Sequence, residues 1–162
     1  KVMNEVNSKY KVLFVCLGNI CRSPMAETVM KAIVARHNDD SSWLIDSAGL
    51  IDYHEGEQAD GRMRSAAFER GYRITSISRP VTTDDFYKFD HIIGMDEANI
   101  TRLNRLCPSD SSVVIELMTK YCRSYTEKTV PDPYYGGRDD FFHVIDLLED
   151  ACQGLYETLH CE

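Results

Sequence analysis

The stretch Lys11-Val12-Leu13-Phe14-Val15-Cys16-Leu17-Gly18-Asn19-Ile20-Cys21-Arg22-Ser23-Pro24-Met25 decides the fold. Lys11 to Val15 is a short β-branched and aromatic run, which reads as a buried strand. Gly18 and Asn19 interrupt it. Ser23-Pro24 then opens a helix, because proline is tolerated in a first helical turn. That helix is expected to run to about His37, with Met25, Val29 and Ile33 on its apolar face and Ala26 and Met30 beside them. A buried strand, a tight turn and a helix form half of a βαβ unit.

The rest of the chain repeats this alternation. Strands are expected at Trp43–Ile45, His91–Met95 and Val113–Leu117, with a loop over 46–58. Helices are expected over Asp60–Arg70, ended by Gly71, over Thr83–Phe89, and from Glu97 to Leu106, where Cys107-Pro108 stops it. Residues 119–137 read as a long loop with two prolines and Gly136-Gly137. In the last segment Phe141, Val144, Ile145, Leu148, Cys152, Leu155 and Leu159 recur at three- and four-residue steps, an amphipathic helix. The sum is an α/β fold: one domain over residues 10–162, with a four-stranded parallel sheet, helices on both faces and an anion-binding loop after the first strand. Residues 1–9 read as a loose leader.

The turn from Cys16 to Ser23 carries the chemistry. Ligands of parallel sheets sit at the carboxyl ends of the strands. Successive backbone N–H groups in such a turn form an anion nest, and the helix N-terminus adds partial positive charge. Gly18 and Asn19 both tolerate the positive φ that a tight cradle needs. A thiol at Cys16, beside a helix N-terminus and Arg22, favours its thiolate and is a nucleophile. Arg22 has the planar fork that holds two oxygens of a phosphoryl group. Ser23 is placed to hydrogen-bond the sulfur. With six cysteines and 11 arginines in 162 residues, a Cys-x5-Arg spacing arises by chance about 0.4 times per chain, so the context carries the signal rather than the spacing.

Composition narrows the partners. The chain is 43% apolar and 27% charged, enough for a core without staples. Its net charge of −8 argues against nucleic acid or an anionic membrane as partner, and disfavours highly acidic substrates away from a local basic pocket. No apolar run suits a membrane span, and no signal-peptide pattern opens the chain. The cysteines at 16, 21, 107, 122, 152 and 161 are read as free thiols in a reducing cytoplasm. Their spacing suggests no metal site.

FVCLGNICRSPMAE (14–27) resembles the signature of the low-molecular-weight protein tyrosine phosphatases. Val130-Pro131-Asp132-Pro133-Tyr134-Tyr135-Gly136 resembles their acid loop, and Asp46-Ser47-Ala48-Gly49 and the segment from Phe89-Asp90 to Met95-Asp96 are also similar. The resemblance spans about residues 10–160. It implies a phosphotyrosine protein phosphatase without metal or cofactor, acting on phosphotyrosine proteins or aryl phosphates as a monomer. Cys16 would be the nucleophile that becomes phosphocysteine, Arg22 the phosphate clamp and Asp132 the general acid and later base. Leu17, Gly18, Asn19, Ile20 and Cys21 would line the phosphate. Asn19, Ser23 and Ser47 would hold the loop in shape, and Tyr53, Tyr134 and Tyr135 would form the rim beside the substrate ring. Cys21 would form a reversible disulfide with Cys16 under peroxide. Many eukaryotic members carry a histidine supporting the loop asparagine; the matching position here is Ser76.

Several alternatives stay open on the residues alone. Asp84, Asp85, Asp90 and above all Asp96, at a strand end, rival Asp132 as the acid. His54 reads as a solvated loop histidine, with contact to substrate as the alternative. A thiol-dependent arsenate reductase shares the loop and needs further redox cysteines, for which Cys107 and Cys122 are candidates by number. A phosphoprotein-binding module without turnover ranks last, since Cys16 and Asp132 are both present.

Overall fold

The computed structural model describes residues 7–161. Four strands, β1 (Tyr10–Cys16), β2 (Trp43–Gly49), β3 (His91–Gly94) and β4 (Val114–Leu117), form one sheet in the order β2-β1-β3-β4. Every pairing is parallel. Five α-helices accompany it: α1 (Arg22–Arg36), α2 (Gly61–Glu69), α3 (Asp85–Lys88), α4 (Glu97–Leu106) and α5 (Arg138–His160). No helix among the described residues is long and apolar enough to cross a membrane.

Alternation along β1 separates two cores. Val12, Phe14 and Cys16 face α1 and α5, joining Met25, Val29, Met30, Ile33 and the apolar stripe of α5. Leu13 and Val15 face the other way, toward Leu44, Phe86, Phe89, Ile92 and Leu103 of α4. A strand buried on both faces has no polar side, which is why residues 12–15 read as one continuous apolar run. All seven expected core positions of α5 are buried.

The differences from expectation have local causes. β2 does not end at Ile45 but runs to Gly49, because it pairs with β1 residue for residue as far as Cys16↔Gly49. The expected loop over 46–58 therefore loses its first four residues to the sheet, and Ser47 is delivered by a strand. The helix expected over Thr83–Phe89 shrinks to the single turn of α3. A 3-10 turn, Met118–Tyr121, precedes the long loop. The leader expected over residues 1–9 lies, at 1–6, outside the described residues. Of the remainder, Lys9 donates its N–H to the Ser42 carbonyl at 2.9 Å, and Ser8 is buried.

Gly154 shows how closely α5 lies on the 3-10 turn. A Cβ built there would come within 1.9 Å of the Tyr121 carbonyl oxygen. Alanine is the better helix former by about 1 kcal/mol, but overpacking against backbone costs about 1–3 kcal/mol or more. Gly154→Ala is expected to melt several degrees lower than the wild type in a thermal scan. An unchanged or raised Tm would show that the turn gives way freely.

Candidate active site

β1 ends at Cys16 and α1 starts at Arg22, and the five residues between them wrap around one point. Their carbonyls are turned outward onto the body. Leu17 O accepts from the N–H groups of Leu50 and Ile51 at 2.9 and 3.0 Å, Ile20 O from Asp60 N–H at 2.8 Å, and Gly18 O from the Ser78 hydroxyl at 3.0 Å. The N–H groups of residues 18–21 donate to no carbonyl among the described residues, and Gly18, Ile20 and Cys21 line the cavity over the loop. Outward carbonyls and inward donors make an anion nest.

Asn19 sets the loop's curvature. Its φ is 57°, in the left-handed region, which asparagine enters more readily than most residues. Gly18, which the sequence also offered for this role, keeps an ordinary φ. The Asn19 side chain is fully engaged: Nδ2 donates to Ser23 Oγ at 2.8 Å and Ser47 Oγ at 3.0 Å, and Oδ1 accepts from Arg79 N–H at 3.0 Å. Ser47 in turn donates to Glu27 Oε1 at 2.6 Å. Ser23 Oγ lies 3.0 Å from Cys16 Sγ. Ser23 accepts from Asn19, so its one proton is shared between the sulfur and the more distant Ala48 carbonyl, at 3.5 Å. Gly49 lets β2 approach, since a Cβ there would sit 3.1 Å from Leu17 O and from the Asn19 side chain.

Arg22 is buried and held from three sides. Nη1 donates to Asp96 Oδ2 at 2.7 Å and to Val130 O at 3.0 Å, and Nη2 lies 3.6 Å from Asp132 Oδ2. Burial opposes its charge, but Cys16, Asp96 and Asp132 outweigh that and hold its pKa above the ordinary arginine value. Asp96 uses its other oxygen to cap α4, accepting from Asn99 N–H at 2.9 Å.

A cavity of about 210 Å³ opens above the loop, lined by Cys16, Arg22, Asp132, Ile51 and the rim side chains Tyr53, His54, Tyr134 and Tyr135. Tyr53 and Tyr135 are 81% and 94% exposed. Cys16, Arg22 and Asp132, 116 positions apart at the extremes of the chain order, thus meet in one small space. Among the described residues, the rival carboxylates do not line it: Asp96 is engaged below Arg22, and Asp85 pairs with Arg79 at 3.0 Å. His54, expected in solvent, instead lies in the cavity wall, stacked edge-on to Tyr53 and 3.1 Å from Glu57. Cys107 and Cys122 are both outside the cavity, and burial and nearby Asp150 push the Cys122 thiol up to about 12.

The chain belongs to the low molecular weight phosphotyrosine protein phosphatase family. The model of that family matches residues 11–162. The phosphatase of that name from Rattus norvegicus is 39% identical over 160 residues, covering 98% of this chain and 100% of its own. The human one is 38% identical over 151 residues, covering 92% and 95%. Among solved structures, a protein tyrosine phosphatase from Entamoeba histolytica with Hepes in its active site is 50% identical, with a TM-score of 0.91 over 93% of this chain and 97% of that one. The Drosophila arginine phosphatase is 31% identical, with a TM-score of 0.86 over 91% and 96%. Membership makes the protein a cysteine-dependent phosphatase of phosphotyrosine and does not favour the arsenate-reductase alternative.

Three contributors to the phosphatase loop carry no role in the sequence reading, Glu27, Ser78 and the Arg79 N–H, and Asp96, weighed there as an acid, instead holds Arg22. Glu27 had a signal, a carboxylate four residues after Ser23 on a face otherwise apolar. Ser76 makes no hydrogen bond to Asn19, so the loop support expected at that position does not come from its side chain. Glu27 is balanced instead by Lys31, at 2.6 Å. Asn19→Ala removes two buried bonds and one half-buried one and puts alanine at a left-handed φ. It is expected to cost about 1–3 kcal/mol and to lower turnover of p-nitrophenyl phosphate with Cys16 still open to alkylation. Unchanged turnover would show that the loop keeps its shape without this side chain.

Proposed function

We propose that Cys16, Arg22 and Asp132 carry phosphotyrosine hydrolysis in two steps. Cys16 Sγ attacks phosphorus, the bond to the aryl oxygen breaks, and Asp132 delivers its proton to the leaving phenolate. Water then attacks the phosphocysteine, Asp132 takes its proton, and the S–P bond breaks to release phosphate and the thiolate. Arg22 and the N–H groups of residues 17–21 stabilise the charge on the transferring oxygens. The Ser23 hydroxyl stabilises sulfur as a leaving group. Tyr53, Tyr134 and Tyr135, with Ile51, accept the aromatic ring. The observation that carries this reading is the convergence of one thiol, one arginine and one carboxyl on a cavity floored by free N–H groups. That the Entamoeba relative holds Hepes, a sulfonate, in its active site is consistent with a tetrahedral-anion cradle. We further read the enzyme as one domain over residues 10–162, working as a monomer in the cytoplasm.

The loop also supports a redox role for Cys21. Its thiol is held above the ordinary cysteine range, first by burial and then by Asp60, Cys16 and Asp132. It therefore stays protonated and does not compete as nucleophile. If peroxide converts Cys16 to the sulfenic acid, condensation with the Cys21 thiol gives a disulfide and water, which a thiol reductant reverses.

In EDTA with a thiol reductant, the wild type is expected to hydrolyse p-nitrophenyl phosphate and Cys16→Ser to be inactive. Asp132→Ala should slow turnover about 100- to 10,000-fold while Cys16 still becomes phosphorylated. An inactive wild type, or an Asp132→Ala variant at full rate, would sink the mechanism. Cys21→Ser should keep basal turnover but lose the recovery of activity by reductant after peroxide. Full recovery in that variant would remove Cys21 from the redox reading.

A further inference from the structure

Charge is unevenly divided along this acidic chain. Residues 61–79 hold five arginines and a single carboxylate, Glu69, a formal +4 against −12 for the remainder. Three of the five are neutralised locally. Arg62 pairs with Asp60 at 2.9 Å, Arg70 with Asp146 at 2.6 Å, and Arg79 with Asp46 and Asp85 at 3.0 Å each. Arg64 and Arg73 are exposed and have no carboxylate partner among the described residues. Arg64 donates only to the Ala59 carbonyl, at 2.9 Å.

Both unpaired guanidinium groups line one groove of about 620 Å³ between α2 and the segment 72–76. No aspartate or glutamate lines it. Its other walls are hydroxyl and amide groups, with Phe68, 76% exposed, as an apolar edge. Two guanidinium groups unpaired by any carboxylate among the described residues give this groove a local positive potential in a protein of net −8, although Arg73 also borders the adjoining groove that Glu27 and Lys31 line.

The groove is tied to the phosphatase loop. Gln58 at its near end bridges to Ile77, Ser78 holds Gly18 O, and Asp60 holds Ile20 O. From there it follows α2 from Gly61 to Phe68, about 10 Å at 1.5 Å per residue. An extended peptide covers that distance in about three residues.

We propose that this groove binds an acidic stretch of the protein substrate, about three to six residues from the phosphotyrosine, with Arg64 and Arg73 as its specificity-determining residues. The proposal rests on the phosphatase reading and names the substrates the site selects. It also revises the expectation that the acidic surface disfavours acidic substrates: the disfavour applies elsewhere, and the route leading from the site is basic. Neither arginine touches the reacting phosphoryl group, so small aryl phosphates are indifferent to them.

The test compares two phosphotyrosine peptides of equal length, one with aspartate and glutamate three to six residues on both sides, the other with serine and asparagine there. Wild type is expected to favour the acidic peptide about 3- to 30-fold in kcat/KM at low salt, the range for two exposed charge pairs. Raising the salt to about 0.5 M should erase most of that preference. The double variant Arg64→Ser, Arg73→Ser should hydrolyse p-nitrophenyl phosphate at the wild-type rate and show no preference. A wild type without preference, or a double variant that keeps it, overturns the proposal. Failure of the wild type on p-nitrophenyl phosphate instead overturns the phosphatase reading, and this proposal with it.

Discussion

The Asn19 amide and the Glu27 carboxylate together set the directions of the hydrogen bonds that lead from α1 to the reactive sulfur. A carboxylate only accepts. Ser47 must therefore give its proton to Glu27, and its oxygen is free to accept from Asn19. The second Asn19 proton goes to Ser23, whose own proton lies between Cys16 Sγ at 3.0 Å and the more distant Ala48 carbonyl at 3.5 Å. The two protons of one buried amide thus run in opposite directions, one through Ser47 to Glu27 and one to Ser23, whose hydroxyl faces the thiol. Such buried networks are stabilising only when complete, and this one leaves no member unsatisfied. Lys31 covers the carboxylate from the solvent side, so a charge buried for the sake of the loop is not left alone.

The parallel sheet is what brings the members of this network together. β1 and β2 both end at the same level, Cys16 opposite Gly49, so Ser47 and the loop are neighbours in space. β3 ends at Gly94 beside Val15, which places Asp96 under Arg22. The loop that follows the Met118–Tyr121 turn crosses back over the same edge, and Val130 pairs its N–H with Met95 O at 2.9 Å before Asp132 hangs over the cavity. Three strand ends and one return loop supply all the side chains of the site.

Much of this was legible in residues 11–25, because a doubly buried strand, a turn and a proline-opened helix each leave a local mark. The long helix α5 was legible for the same reason: its apolar period is intrinsic to the sequence. The end of β2 was not, since Asp46-Ser47 has a polar face and only the register with β1 keeps it in the sheet. His54 was misread as solvated because its place against the loop depends on the return of the 50–57 segment, which no local pattern encodes. The choice between Asp96 and Asp132 was open on chemistry alone. What separates them in space is that Asp132 lines the cavity while Asp96 holds Arg22 from outside it, a property of strand order rather than of composition. Glu27 was overlooked for an opposite reason: a glutamate on a helix is the commonest of surface residues, and burial alone marks this one out.

Asp96 divides its two oxygens between two tasks, one fixing Arg22 and one capping α4. The orientation of the arginine and the integrity of a helix on the opposite sheet face are therefore parts of one equilibrium. Whatever stabilises Arg22 in place also slows the fraying of the first turn of α4, and an opening of that turn loosens the arginine, by reciprocal linkage. Asp96 is thus a single residue through which the arginine of the loop and a helix on the far side of the sheet are joined.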